Sequence, residues 1–485
     1  MIGADTEGEV GRKAARGLAW STVETILVRL LSLVTFVVVT RLLMPADYGI
    51  AAIAGAVATV FALLAAGGYA RALVQRPDLT DDEIDAVFWC SLGLGCVVAA
   101  IVAGLAQPLA ALLDTPELRL VVLATTPLFL AHALSSVPNG LLARDFQFRL
   151  LARISILANL VVTVAGMLAA LAGAGYWALV LQIVVGPLVG CACLWFVCPY
   201  RPARRASLAS FRAILPTSRP IMGYQVLGLG NDQLDKLLVG VRLDGAVLGV
   251  YTVASRAVAI LLELVSRPFQ VVAQSTFARL AGHPESLARA YEQMVRLNGV
   301  VALPLFAIGA ALAEPATAVL LGDRWLGAVP VIQVLCAYAA LHWLFEINAA
   351  LLQATGAARA AFRCAVAGTL LQLLLIVVAL PHGIAWVAGA FVARTVLVTP
   401  IAIGLAARHT GVALRVTVVG VGAPLLSAGC AAGLVLGIDA LTDLDDIALL
   451  CVATPGGALT YLAMLAAIGR SHLGALRRVG ALMRA

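Results

Sequence analysis

The chain has 485 residues, of which 62% are hydrophobic and 12% are charged, with a mean hydropathy of +1.00 and a formal net charge of +7. Soluble domains are roughly 45–50% apolar and about 25% charged, so this composition excludes an ordinary soluble protein. The positive charge does not indicate nucleic-acid binding, because nearly all basic residues lie in short intervals between apolar windows. Such a distribution is typical of membrane topology, and the chain is interpreted as an integral membrane protein.

Apolar windows of about 20 residues, enough for a helix to cross some 30 Å of hydrocarbon, recur along the whole sequence. They predict an all-α polytopic membrane protein with fourteen transmembrane helices. The first window has no small-residue cleavage site after it, so we expect a retained helix and not a signal peptide. In chain order the predicted spans are 19–40, 49–70, 86–107, 118–139, 150–172, 176–198, 216–240, 247–268, 293–313, 329–353, 361–380, 383–407, 414–437 and 447–468.

The basic residues of alternate loops predict the orientation of these spans. With the N-terminus inside, 24 arginines and lysines fall on the cytoplasmic side and only Arg41, Arg119, Arg242 and Arg324 fall outside. Cytoplasmic loops carry such an excess in membrane proteins, so both termini are predicted to be cytoplasmic. The scarcity of lysine and the abundance of alanine indicate a GC-rich bacterial genome. The expected location is therefore a bacterial cytoplasmic (inner) membrane.

Two segments about 200 residues apart follow one pattern, "VVVTRLLMPADYGIAAIAGAVATVFALL" from Val37 and "LLVGVRLDGAVLGVYTVASRAVAILLEL" from Leu237. In both, an apolar helix end is followed by Arg-Leu, a short turn, a glycine and a new apolar helix. Six spans per copy keep the same orientation, which predicts two parallel repeats, an arrangement typical of transporters with a substrate site between the repeats. The predicted division is a six-helix lobe 1–198, a basic linker 199–215, a second six-helix lobe 216–410, and two further helices with a basic tail 411–485.

Four runs carry a family resemblance: "TRLLMPADYG", "ALVQRPDLTDDEIDAVFW" at 72–89, "LLARDFQFRLLA" at 141–152 and "NDQLDKLLVGVRLDGAVLGVYTVASR" at 231–256. In this order, over roughly 12–410, the chain resembles polysaccharide flippases of the multidrug/oligosaccharidyl-lipid/polysaccharide (MOP) exporter superfamily, of the Wzx-like branch. The resemblance implies two lobes around a cavity and movement of undecaprenyl-diphosphate-linked oligosaccharide to the outer leaflet. It also implies cationic cavity residues that hold the diphosphate. No cofactor is predicted. Membrane lipids and polysaccharide polymerase or export machinery are further candidate partners.

Three arginines inside predicted spans are candidates for that diphosphate site. Arg29 lies on one helical stripe with Thr25 and Ser32, about ten residues or roughly 15 Å from the cytoplasmic end. Arg256 and Arg394 also lie within spans. A charge at mid-bilayer costs on the order of 3 kcal/mol, so such residues usually face a cavity or a partner. The alternative for each is a structural ion pair within one lobe.

Intramembrane carboxylates are the second group of candidates, with a role in coupling or charge balance. Asp232, Asp235 and Lys236 share an arc of about 100° on the seventh span, which Gly and Pro interrupt. Asp232 and Lys236 pairing with each other, a coupling proton or cation on the aspartates, and contacts with sugar hydroxyls or cavity arginines all remain open. The other members of this group are Glu24, Glu263 and Glu346.

Two other functional classes were compared with a flippase. A polytopic glycosyltransferase or polymerase would carry catalytic residues in a sizeable outer loop, but the first outer loop is only "LMPADYG", and the six histidines form no metal or triad spacing. The sequence therefore predicts no enzyme and no metal. A cation-coupled multidrug exporter of the same superfamily is the nearer alternative. It would require a carboxylate-rich first lobe, whereas Glu24 is the only mid-span acid there.

Overall fold

The computed structural model of the chain describes residues 24–25, 27–66, 80–203, 233–411 and 414–469. Within these ranges every regular element is a helix, which confirms the all-α prediction. In the part of the chain that the structure describes, twelve helices are long and apolar enough to cross a membrane. The chain forms two compact units, Met1–Gly249 and Val250–Ala485.

The first unit contains the helices that precede Gly249. The described helices are α1 (27–42), α2 (Pro45–Ala66), α3 (Asp81–Leu112), α4 (Glu117–Arg144), α5 (Phe148–Leu171), α6 (Trp177–Val197) and α7 (233–242). Among them α3 packs most extensively against α4, α5 pairs with α6, and α4 also contacts α2 and α6.

A capping box fixes where α3 begins. The Thr80 hydroxyl accepts a hydrogen bond from the Glu83 backbone N–H at 3.3 Å, and the Glu83 carboxylate accepts one from the Thr80 N–H at 3.2 Å. These two bonds satisfy amide groups that have no partner within the helix. Asp81 and Asp82 add negative charge at the positive end of the helix dipole. The polar start of α3 therefore follows directly from the sequence "TDDE".

The second unit begins at Val250, inside the next helix, and contains the helices that follow it. The helices are α8 (Gly245–Leu280), α9 (Pro284–Ala311), a short helix Ala313–Leu320, α10 (Val329–Ala354), α11 (Ala358–Ala379), α12 (Ile384–Thr410), α13 (Leu414–Leu441) and α14 (Asp446–Ile468). Here α9 packs on α13 and α10, α10 packs on α12, α11 pairs with α12, and α13 pairs with α14.

The predicted span boundaries hold well for most helices and fail at one connection. The spans 247–268 and 293–313 correspond to α8 and α9, but α8 continues to Leu280 and α9 already begins at Pro284. The segment between the two windows is therefore helical, with a turn near His283. Parts of the first and seventh predicted spans lie outside the described residues, so the count of fourteen and the lobe boundaries remain predictions.

Asp85 connects α3 to the segment that follows α6. Its carboxylate is 4% exposed and accepts hydrogen bonds from the Tyr200 hydroxyl at 2.7 Å and from the Ala203 backbone N–H at 3.1 Å. The Trp89 indole N–H donates to the Ala203 carbonyl at 2.9 Å. Burial and the bond to Asp85 raise the pKa of Tyr200 above its ordinary value of 10.0, so the phenol remains the donor. The chain thus leaves the first group of helices through a fixed segment, while residues 204–215 of the predicted linker lie outside the described residues.

We expect Tyr200→Phe to lower the free energy of unfolding by about 1–3 kcal/mol, because a buried carboxylate loses a hydrogen-bond donor. The raised pKa of Tyr200 means that this stabilisation is fully present below pH 10 and is lost only at higher pH. The difference between wild type and variant should therefore be equal at pH 7 and pH 9, measured by unfolding in detergent. Tyr176→Phe is the control, since Tyr176 contacts Asp47 through its backbone N–H. Equal losses in both variants would contradict this role of Tyr200.

Candidate functional site

The two predicted repeat segments form equivalent turns. Helix α1 ends at residue 42 and α2 begins at Pro45, while α7 ends at residue 242 and α8 begins at Gly245. The backbone N–H of Leu43 donates to the Val39 carbonyl, and that of Leu243 donates to the Val239 carbonyl. The two connections therefore have the same length and the same terminal hydrogen bond at an offset of 200 residues.

These turns meet within the first unit, which includes the first five residues of α8. A β-carbon on Gly49 would collide with the carbonyl oxygen of Gly245, and one on Gly249 would collide with the carbonyl oxygen of Pro45. The contact is reciprocal, since Pro45 and Gly49 are the repeat equivalents of Gly245 and Gly249. Only glycine permits such close backbone approach between helices in a membrane protein.

Asp47 holds the first of these turns in place. Its carboxylate accepts the backbone N–H of Met44 at 3.0 Å and the backbone N–H of Tyr176 at 3.1 Å. Gly175, beside Tyr176, has a φ of +55°, a conformation that favours glycine. One carboxylate therefore connects the start of α2 to the start of α6.

The predicted polar stripe of the first span lies on α1. Arg29 and Ser32 are half-buried on α1, while Glu24, half-buried, and Thr25, exposed, lie in the helical residues 24–25 before it. The stripe continues one turn further to Thr35, which is buried and hydrogen-bonded to the Thr163 hydroxyl of α5 at 2.9 Å. The 3,4-spacing in the sequence could have identified Thr35, because it follows Ser32 by three residues.

Of the three charged residues predicted on the seventh span, two fall on described residues. Asp235 is buried on α7, whereas the half-buried Lys236 donates to the side-chain oxygen of Gln233 at 3.4 Å. Asp232 lies outside the described residues. Pairing of Asp232 with Lys236 therefore stays a prediction, and Gln233 is a partner of Lys236 that the sequence interpretation missed.

Arg394 lies in the interior of the second unit, with 5% of its surface exposed. Its guanidinium stands 4.7 Å from the centre of the Phe345 ring of α10, a cation–π geometry. Gly368 of α11 leaves the space that the guanidinium occupies, since a β-carbon there would lie 3.1 Å from an Nη atom of Arg394. The Arg394 Nε is buried and makes no hydrogen bond. One buried cation therefore joins α10, α11 and α12 and keeps one unused donor.

Aromatic side chains and one carboxylate surround this arginine. Tyr338 lies next to His342 and Phe391, with ring centres 4.8 and 5.4 Å away, and His342 stacks at 6.2 Å on Phe345. Glu346, half-buried, has an oxygen 3.6 Å from the His342 Nε2 and is close enough to interact electrostatically with Arg394. The structure thus brings Glu346 and Arg394 into one cluster, which sequence spacing alone did not predict.

Arg256 and Glu263 both lie on α8 in the second unit. Arg256 is exposed and Glu263 is half-buried with a fully buried Oε2 atom. The candidate residues are therefore divided between the units: Arg29, Asp235 and Lys236 belong to the first, and Arg256, Glu263, Glu346 and Arg394 belong to the second.

We expect Gly249→Ala to lower the free energy of unfolding by about 1–3 kcal/mol, because the added methyl group would meet backbone atoms that no rotamer change can move. Gly245→Ala is the matched control, since a β-carbon at Gly245 has no heavy atom within 4 Å. Thermal unfolding of both purified variants in detergent compares them. Equal melting temperatures would show that the crossing of α2 and α8 is looser than described.

Comparison with solved structures identifies the fold. The chain superposes on "Lipid II flippase MurJ, inward closed conformation" with a TM-score of 0.76 at 14% identity, covering 94% of this chain and 100% of that one. A multidrug resistance MATE family transporter of the MOP superfamily, in its inward-facing conformation, gives a TM-score of 0.62 at 14% identity, covering 81% and 98%. The chain therefore has the fold of MOP-superfamily transporters.

Sequence comparison identifies the family. The succinoglycan biosynthesis transport protein ExoT of Rhizobium meliloti (strain 1021) is 28% identical over 324 residues, and the lipopolysaccharide biosynthesis protein WzxC of Escherichia coli (strain K12) is 23% identical over 331 residues. Each alignment spans 67% of this chain and 66% of the relative. The chain therefore covers just under two thirds of the length of each of these relatives. The profile of the family described as "Polysaccharide biosynthesis protein" matches residues 38–330, more than half of the chain. The chain therefore belongs to the polysaccharide biosynthesis protein family.

Proposed function

We propose that the protein is an alternating-access flippase that moves polyprenyl-diphosphate-linked oligosaccharide from the inner to the outer leaflet for surface polysaccharide biosynthesis. Family membership and the transporter fold support this proposal. ExoT is named a succinoglycan biosynthesis transport protein and MurJ a lipid II flippase, and both names are consistent with a transport role for this chain. The location that follows is the bacterial cytoplasmic membrane, with both chain termini in the cytoplasm.

The observation that carries the proposal is the state of Arg394. A buried guanidinium in a membrane protein is expensive, and in this chain its Nε donor is left without a hydrogen bond. A diphosphate oxygen is the kind of acceptor that would satisfy this donor. The aromatic neighbours stabilise the cation without consuming its N–H groups, because they interact through their ring faces.

Arginine suits this cargo better than lysine would. Its planar guanidinium donates two parallel hydrogen bonds to a phosphate and stays charged at any physiological pH. We propose that Arg29 and Arg256 hold the diphosphate together with Arg394, and that Thr25 and Ser32 contribute hydroxyl donors. Desolvation of a phosphate without cationic partners would be prohibitive, so the polar head requires these groups while its prenyl tail remains in lipid.

The carboxylates have a different proposed role. Asp235 is buried within its unit, and the half-buried Glu346 lies beside His342 and near Arg394. We propose that they, with Glu24, Asp232, Glu263 and the cationic Lys236, balance the arginine charges or couple transport to an ion. Neutralisation of cavity arginines by carboxylates would stabilise the protein when no cargo is bound.

A cation-coupled multidrug exporter is the second candidate, and the similarity to the MATE family transporter favours it. Such an exporter would bind its cargo through carboxylates and an apolar pocket. Loss of the gene would then change drug sensitivity and leave surface polysaccharide intact. The flippase proposal expects the reverse result.

We expect Arg29→Glu and Arg256→Glu each to abolish export of surface polysaccharide, because a carboxylate repels the diphosphate. Cell-surface polysaccharide is quantified in a deletion strain complemented with each variant, and membrane levels are checked by immunoblot. Arg119→Glu is the control, since Arg119 is exposed at the start of α4. Full export by Arg29→Glu at normal membrane levels would exclude Arg29 from the cargo site.

Arg394→Met separates a cargo role from a structural one. Replacement of a buried ion by an apolar side chain of similar volume is often neutral or stabilising. We therefore expect an unchanged or higher melting temperature together with loss of polysaccharide export. A variant that is stable and exports normally would contradict the cargo role, and one that is strongly destabilised would show that the cation holds α10, α11 and α12 together.

A further inference from the structure

A groove of about 560 Å³ runs along the outside of the second unit between α11 and α12. This volume lies within the roughly 300–1,000 Å³ typical of small-molecule sites. Its walls come from two regions, residues 357–371 and 398–409. Most of the groove is apolar, and this part is lined by Ala367, Leu371, Val398, Ile401 and Leu405. The groove is separate from the proposed diphosphate residues, none of which lines it.

One end of the groove is cationic. Arg359, Arg363 and His409 all line this end, and both arginines are exposed. The His409 Nδ1 lies 2.9 Å from the Leu405 carbonyl oxygen, which can only accept, so the Nδ1 is the donor and the two arginines supply the positive charge of this end. The sequence from 358 to 410 contains no aspartate or glutamate. This end therefore carries positive charge that neither groove-forming helix neutralises.

The other end of the groove is open to the membrane. Ile401, which lines it, is 58% exposed, and the neighbouring Leu370, Leu374 and Leu397 are 63%, 61% and 53% exposed. Exposed leucine and isoleucine on transmembrane helices contact acyl chains. A ligand in this groove would therefore lie in hydrocarbon along its apolar part and in the headgroup region at Arg359 and Arg363.

The length of the groove indicates the kind of lipid. Arg359 and Leu371 are twelve residues apart on α11, or about 18 Å along the axis. Half of a typical bilayer core is about 15 Å thick. The groove thus spans about one leaflet, the depth reached by a phospholipid acyl chain.

We propose that this groove, between Arg359, Arg363 and His409 at one end and Leu371 and Val398 at the other, is a binding site for one anionic phospholipid of the adjacent leaflet. The phosphate and negative headgroup contact the two arginines, with His409 beside them, and one acyl chain lies on the apolar walls. The floor of the groove includes Cys364 and Val398, which also flank Gly368 and the Arg394 cluster. An occupied groove would therefore stabilise the helices that position Arg394.

Lipid binding by the purified full-length protein tests the proposal without any transport assay. Native mass spectrometry counts bound lipids after titration with phosphatidylglycerol or phosphatidylcholine. We expect wild type to retain one phosphatidylglycerol in preference to phosphatidylcholine. Arg359→Ala/Arg363→Ala should weaken that binding about thirtyfold, given about a tenfold loss per 1.4 kcal/mol and the typical contribution of an arginine near an anionic surface.

A charge-matched control separates a built site from general electrostatic attraction. Arg153→Ala/Arg279→Ala removes the same charge from two exposed positions outside the groove and should bind phosphatidylglycerol as wild type does. Equal weakening in both double variants would overturn the proposal, as would wild type that retains the two lipids equally.

The apolar part is tested independently. Ala367→Trp should fill the groove and abolish binding of the retained lipid, whereas Leu374→Trp, on the same helix but outside the groove, should not. Undecaprenyl phosphate should not displace the phosphatidylglycerol when it is added at equal concentration. Displacement would reassign the groove to the cargo lipid and overturn the phospholipid assignment. None of these outcomes depends on whether the protein is a flippase.

Discussion

The free-energy cost of an ionised side chain in hydrocarbon determines where the charges of this protein lie. That cost is on the order of 3 kcal/mol at mid-bilayer, and the sequence confines all but a few of its 33 basic residues to loops. Arg394 shows how an exception is accommodated. The face of Phe345 and the nearby carboxylate of Glu346 stabilise the guanidinium, while its Nε remains without a hydrogen bond. This unused donor is the feature from which we propose an anionic ligand for Arg394.

Backbone packing imposes a second constraint, at the reciprocal crossing of α2 and α8. Glycine is required at Gly49 and Gly249 because the carbonyl groups of Gly245 and Pro45 occupy the space of their β-carbons. The same turn, with the same terminal hydrogen bond, occurs at an offset of 200 residues. Two equivalent turns therefore pack against each other here. The local repeat seen in the sequence therefore has a structural counterpart at these residues.

Much of the fold could be predicted from hydropathy, because a helix in a membrane must satisfy its backbone within one apolar segment. The span 329–353 and the helix Val329–Ala354 are an example. Where the sequence turns polar this signal is lost, and the extension of α8 to Leu280 was missed for that reason. The site was predictable only as a set of residue types. Phe345 and Gly368 beside Arg394, and Tyr200 beside Asp85, are contacts between distant parts of the chain that no periodicity reveals.

The central claim, that Arg29, Arg256 and Arg394 serve a lipid-linked diphosphate cargo, is tested most directly by the lipid content of a deletion strain. Mass spectrometry of membrane extracts measures the amount of each polyprenyl-linked oligosaccharide. A membrane-impermeant reagent, which labels only outer-leaflet glycans, shows the leaflet in which it lies. The account predicts that one such lipid accumulates unlabelled on the inner leaflet and that complementation returns it to the outer one. An unchanged lipid pool in the deletion strain, with altered sensitivity only to drugs, would contradict it.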